Sequence, residues 1–101
     1  MKIKEGVILS GLQLPMRDCL LFANNIWKDL DQELVITSGL DGTHSAGSLH
    51  YYGYALDFRT RYFSDVQKQI AFDDLTDSLG SDYNVIWHTS HIHVEYDKVI
   101  R

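Results

Sequence analysis

The order of elements legible in this sequence, helix, strand, loop, strand, helix and hairpin, predicts an α+β domain built as one pair of layers. Three observations carry that expectation. An apolar stripe at helical spacing lies near the amino terminus, a second helix carries its own start and stop signals, and short β-branched or alternating runs end in a histidine-rich hairpin. The 101 residues form one domain, 1–101, since single cores commonly occupy about 100 to 150 residues. Apolar residues make up 45% of the chain, enough to bury a core.

The first helix spans Pro15 to about Asp31, where Cys19, Leu20, Ala23, Ile26, Trp27 and Leu30 share a face and Pro15 suits the first turn. "ELVITSG" follows as a strand, its cluster Val35, Ile36 and Thr37 fitting a pleated surface and Gly39 closing it. From Gly39 to Leu49, "GLDGTHSAGSL" is turn chemistry throughout, and a loop this long in a small domain usually carries function. "YALDF" alternates Tyr54, Leu56 and Phe58 against Ala55 and Asp57, as a strand does. The second helix starts at Ser64, with Gln67 completing a capping box, places Val66, Ile70, Phe72, Leu75 and Leu79 on its apolar positions, and ends at Gly80. "YNVIWH" and "HIHVEY" then form a hairpin joined by Thr89 and Ser90.

Composition narrows the function classes. The net charge is −5 and the nine basic residues are scattered along the sequence, so no Lys or Arg stripe follows a phosphate backbone and nucleic acid is not the expected partner. Cys19 is the only cysteine, which excludes an internal disulfide and a thiolate cluster; a transition metal here must use imidazole and carboxylate. The amino-terminal apolar run GVIL is too short for a signal peptide or a membrane span. The expectation is a monomer made in the cytoplasm, not inserted in a membrane and delivered elsewhere, if at all, by other factors.

All five histidines lie outside the helices: His44, His50, His88, His91 and His93. Residues two apart on a strand share a face, so His91 and His93 project together while Ile92 and Val94 face the other way. A second pair of donors is His50 and Asp57, with Gly53 allowing the chain to bend and Ala55 leaving space beside a metal. His50, Asp57 and one of the two hairpin histidines make a three-ligand set of the kind a catalytic zinc uses, and the other histidine is left for proton transfer or oxyanion stabilisation. His88 is expected as a surface or supporting residue. Tyr51, Tyr52 and Tyr54 read either as a ligand-binding wall or as cross-strand packing. Glu95 alternates onto the face of His91 and His93, where it can orient a histidine or lie in solvent.

The stretch "SLHYYGYALD" matches S-x-H-x-x-G-x-A-x-D, "HIH" matches H-x-H, and "VITSG" stands upstream, so the chain resembles the D-Ala-D-Ala-carboxypeptidase-like zinc peptidases from about Leu34 to Tyr96. The resemblance implies His50, Asp57 and His93 as ligands of one zinc ion. It also implies a small antiparallel sheet flanked by helices, shared with the hedgehog signalling domain and, more distantly, lysostaphin-type peptidases. Its substrate would be the peptide stem of bacterial peptidoglycan, cut at a D-Ala-D-Ala or L-Ala-D-Glu bond by a phage endolysin or a virion-associated or prophage-encoded peptidase.

The sequence departs from that family twice. Ser90 stands where many members carry a general-base Glu, which shifts that role to His91. Leu40 and Asp41 stand where members carry an Arg after "TSG", so His44 and Ser48 become the candidates for contacting substrate, with Arg59 behind them. The competing expectations are a non-catalytic zinc-binding module and a phage structural protein of the same fold without metal.

Overall fold

The computed structural model describes residues 1–42, 44 and 47–98, which leaves Thr43, Ser45 and Ala46 of the central loop and residues 99–101 outside the description. Its elements are β1 (Lys2–Ile3), α1 (Leu14–Asp29), β2 (Val35–Ser38), a short 3-10 turn (Leu49–Tyr52), β3 (Ala55–Arg59), α2 (Asp65–Leu79), β4 (Tyr83–Trp87) and β5 (His91–Tyr96). The five strands form one sheet in the order β1-β2-β3-β5-β4. The class is α+β, as expected, and every strand pair is antiparallel except β1 with β2. That pair is parallel because α1 lies between its strands and returns the chain in the same direction, a connection antiparallel neighbours do not need.

Both helices cover the same face of the sheet. Met16, Cys19, Ala23 and Trp27 of α1 and Ala71 and Leu75 of α2 are fully buried against Ile36, Leu56, Phe58, Ile92 and Val94. Removing each large side chain of this kind from water contributes roughly 1.5–3 kcal/mol, so this face carries most of the fold's cohesion. Trp27 adds a directed contact: its indole N–H donates to the Arg59 carbonyl at 3.2 Å and its ring meets Phe58 edge-on. The start of β1 is set by Lys2 N–H donating to the Leu34 carbonyl. Among the described residues no helix is long and apolar enough to cross a membrane.

The helix ends follow local chemistry. Ser64 and Gln67 exchange both bonds of a capping box, at 3.2 and 3.0 Å. α1 stops in a Schellman turn, in which Asp31 takes a left-handed φ of 59° and the Gln32 and Asp31 N–H groups donate to the Trp27 and Lys28 carbonyls. On α2 Leu75 is buried and Phe72 and Leu79 pack against the core as expected, but two positions differ. Val66 is 70% exposed and Ile70 is exposed as well, whereas Ala71 and Lys68 are buried. Lys68 donates from its ammonium to the carbonyls of His88 and Thr89 and lies 4.3 Å from the Trp87 ring centroid. A lysine that satisfies the open carbonyls of the β4–β5 turn gains more from facing the sheet than from solvent.

Candidate metal centre

The face of the sheet turned away from the helices carries the polar residues. In the β3–β5 ladder Asp57 pairs directly with His93, Arg59 with His91 and Ala55 with Glu95. Opposite residues of an antiparallel pair share a face. The register that buries Leu56, Phe58, Ile92 and Val94 therefore also sets Asp57 beside His93. His93 Nδ1 lies 2.9 Å from Asp57 Oδ1, and His93 Nε2 lies 2.8 Å from Glu95 Oε1, while Asn84 donates to the other Glu95 oxygen at 3.1 Å.

His50 comes from outside the ladder. It sits in the 3-10 turn, which Ser48 caps by accepting the His50 N–H at 3.3 Å and Gly53 ends with a left-handed φ of 79°. Gly53 has no alternative residue here, because a Cβ would come within 2.2 Å of the Gly11 carbonyl oxygen. His50 is buried, and its Nδ1 lies 2.8 Å from the Gly39 carbonyl. A carbonyl only accepts, so Nδ1 carries the proton and Nε2 presents a lone pair. That Nε2 faces His93 Nδ1 at 3.2 Å and Asp57 Oδ1 at 3.4 Å.

One donor atom from each of His50, Asp57 and His93 lies within 4.8 Å of the others, so the three could hold a single metal ion. The donor chemistry fits: two imidazole nitrogens and one carboxylate oxygen, each imidazole oriented through its other nitrogen by the Gly39 carbonyl or the Glu95 carboxylate. The electrostatics agree. Burial opposes charge on Asp57, but its close contacts with His50 and His93 outweigh it and hold the carboxyl far below the usual range. Burial likewise opposes charge on His93, yet its bonds to Asp57 and Glu95 win and raise its pKa. Without metal, a proton on His93 Nδ1 occupies the point where the donors converge. Burial alone pushes the Cys19 thiol up to about 12, and it lies on the helix face of the sheet, apart from this site.

The remaining expected residues surround this centre. His91 Nε2 lies 3.7 Å from Asp57 Oδ2, its Nδ1 lies 3.2 Å from the Ser90 hydroxyl, and its ring stacks on His88 at 4.6 Å. Burial lowers the His91 pKa and the neighbouring His88 and His93 add to the effect, against the attraction of Asp57. His44 stacks on His50 with ring centroids 4.1 Å apart, and its Nε2 donates to the Asp41 carbonyl at 2.9 Å. His44, Ser48, His88 and His91 line an open cavity of about 710 Å³ over the three donors.

Glu95 orients His93, the first of the two roles open to it from its alternation. The tyrosines divide: Tyr54 stacks on Tyr96, Tyr51 donates its hydroxyl to the His44 carbonyl, and Tyr52 is exposed. Two contributors escaped sequence reasoning. The Gly39 carbonyl leaves no trace in residue type, and Lys68, which holds the turn carrying His88 and His91, carries no sequence signal that sets it apart from the other basic residues. No protein-family model matches the chain, and no curated protein matches it significantly.

Proposed function

We propose that this chain is a zinc-dependent peptidase of the D-Ala-D-Ala-carboxypeptidase-like kind, hydrolysing an amide bond in the peptide stem of bacterial peptidoglycan. One observation carries the reading. The histidine and aspartate of S-x-H-x-x-G-x-A-x-D and the last histidine of H-x-H converge with separations of 2.9, 3.2 and 3.4 Å. Four-coordinate zinc with ligands at about 2.0–2.1 Å needs donor separations of about 3.3 Å, the edge of the corresponding tetrahedron. Three protein donors also match the number found in catalytic rather than closed structural zinc sites.

When bound, zinc supplies a Lewis acid for the scissile carbonyl and brings the pKa of a coordinated water to about 7. His50, Asp57 and His93 hold the ion, with Gly39 and Glu95 keeping the two rings in the required orientation. His91 stands outside the donor set, and its lowered pKa leaves it neutral at neutral pH. It would take the proton of the attacking water and return it to the leaving amine. His44 and Ser48, on the wall of the cavity, are the groups offered to the substrate's polar backbone. The wall substrate suits a phage endolysin or virion-borne enzyme.

A second reading, a non-catalytic zinc-binding module, draws on Ser90. It stands in the place of the family's glutamate, and its hydroxyl is engaged by His91 Nδ1. Metal analysis and digestion of purified peptidoglycan, with fragments identified by mass spectrometry, separate the two. The peptidase reading expects one zinc per chain, lost in Asp57→Ala, and defined peptide fragments. His91→Ala should keep the metal and lose about 10²–10⁴-fold in turnover. A zinc-loaded protein that leaves several wall chemotypes intact would overturn it in favour of the binding module.

A further inference from the structure

A second, smaller cavity of about 290 Å³ opens beside the metal centre, lined by Lys4, Arg59 and Arg61 together with Thr37, Ser90 and His91. Asp57 and His91 line both cavities, so a chain lying over the three donors can continue from one into the other. The three cations come from separate places: Lys4 follows β1, Arg59 ends β3 opposite His91, and Arg61 lies in the turn after β3. Arg59 is half-buried, and Lys4 and Arg61 are exposed. Among the described residues every ion pair joins a histidine to a carboxylate, and none involves these three cations. A chain of net charge −5 with nine basic residues has therefore gathered a third of them, without acidic partners, at one end of its site.

We propose that this groove is a subsite for a carboxylate of the peptide substrate, with the peptide crossing Asp57 and His91 and its anionic group lying among Lys4, Arg59 and Arg61. The inference rests on the peptidase reading for the identity of the peptide, but not for the charge of what the groove takes. A compact groove with two guanidinium forks suits one planar carboxylate, bound through paired N–H donors. A phosphate backbone would need a longer track of cations. Asp57 at its edge is turned to His93, whose Nδ1 lies 2.9 Å from Oδ1 and offsets part of its charge.

NMR titration of the full zinc-loaded chain tests this and reads binding and cleavage in the same sample. One pair of probes is acetyl-Lys-D-Ala-D-Ala and its carboxy-terminal amide; the other is acetyl-Ala-D-Glu amide and its D-Gln counterpart. The expected result is that in one pair the acid binds about tenfold more tightly than the amide. The responding pair identifies a terminal or a side-chain carboxylate as the source. Arg59→Gln with Arg61→Gln should bring that ratio to near one with zinc content unchanged, and Arg59→Lys should retain part of it. A ratio near one in both pairs for the native chain, a ratio that survives in the double variant, or no binding of any probe would overturn the subsite. Discrimination without cleavage of any probe or of peptidoglycan leaves the subsite standing and removes the peptidase reading. Cleavage without discrimination does the reverse.

Discussion

The candidate metal centre draws its donors from two regions that place side chains by different means. The β3–β5 ladder supplies Asp57 and His93 as one rung of a continuous register whose other face is the apolar core. The 3-10 turn supplies His50 through individual devices: a serine cap, a left-handed glycine against the Gly11 carbonyl, and one hydrogen bond to Gly39. A slip of one residue in the ladder would expose Leu56 and Phe58, so the core itself protects the Asp57–His93 pairing. The turn has no such protection, and each of its devices can be removed singly.

The largest expected effect comes from breaking the rung. His93→Ala removes one donor and leaves the Asp57 carboxylate facing Glu95 without the imidazole between them. Zinc affinity should fall on the order of 100-fold or more, measured by competition with a chelator. Gly53→Ala attacks the turn. The new Cβ meets backbone that cannot yield, at a left-handed φ, and the loss of stability should be about 3 kcal/mol by chemical denaturation. Gly47→Ala serves as its control: its φ of 81° is equally left-handed but nothing lies within 4 Å, so roughly 1–2 kcal/mol is expected. Equal losses at the two glycines would show that the turn is not wedged against Gly11.

Glu95→Gln sharpens the ladder side alone. It keeps the shape but weakens the acceptor that orients His93, so zinc affinity should fall about 10–100-fold with little change in stability. The pH dependence is the smallest effect and its sign is determined by His93. Its raised pKa means that its paired imidazolium stabilises the metal-free chain fully below the ordinary histidine pKa, and that this contribution fades as pH rises through the raised value. A zinc ion held by the three donors would take the same nitrogen, so its binding should release that proton and weaken as pH falls below the raised pKa, by at most about tenfold per pH unit. Calorimetry in buffers of different ionisation enthalpy should detect the proton; none released would mean that His93 Nδ1 is already free.

The elements and much of the site were legible in the sequence for local reasons. The Ser64–Gln67 box, Pro15 in the first turn and the period-two alternation of "HIHVEY" are all decided within a few residues of chain. The same alternation put His91, His93 and Glu95 on one face. On α2 Leu75, Phe72 and Leu79 were read correctly, but apolar residue type also suggested Val66 and Ile70, whereas Ala71 joins the core and bonds to the β4–β5 turn draw Lys68 inward. β1 was missed because two residues carry no periodicity.

By itself the sequence determined the α+β class, the two helices with their ends, the hairpin, and a supply of imidazole and carboxylate donors with too few cysteines for a thiolate cluster. The tertiary structure decided that His50 Nε2 meets a nitrogen 43 residues away, that the Gly39 carbonyl selects its tautomer, and that Lys4 joins Arg59 and Arg61 in one groove. The division follows from range. Caps and alternation are set by bonds between near neighbours, whereas a metal centre and its flanking groove exist only where packing of the whole core brings distant backbone to within a few ångströms.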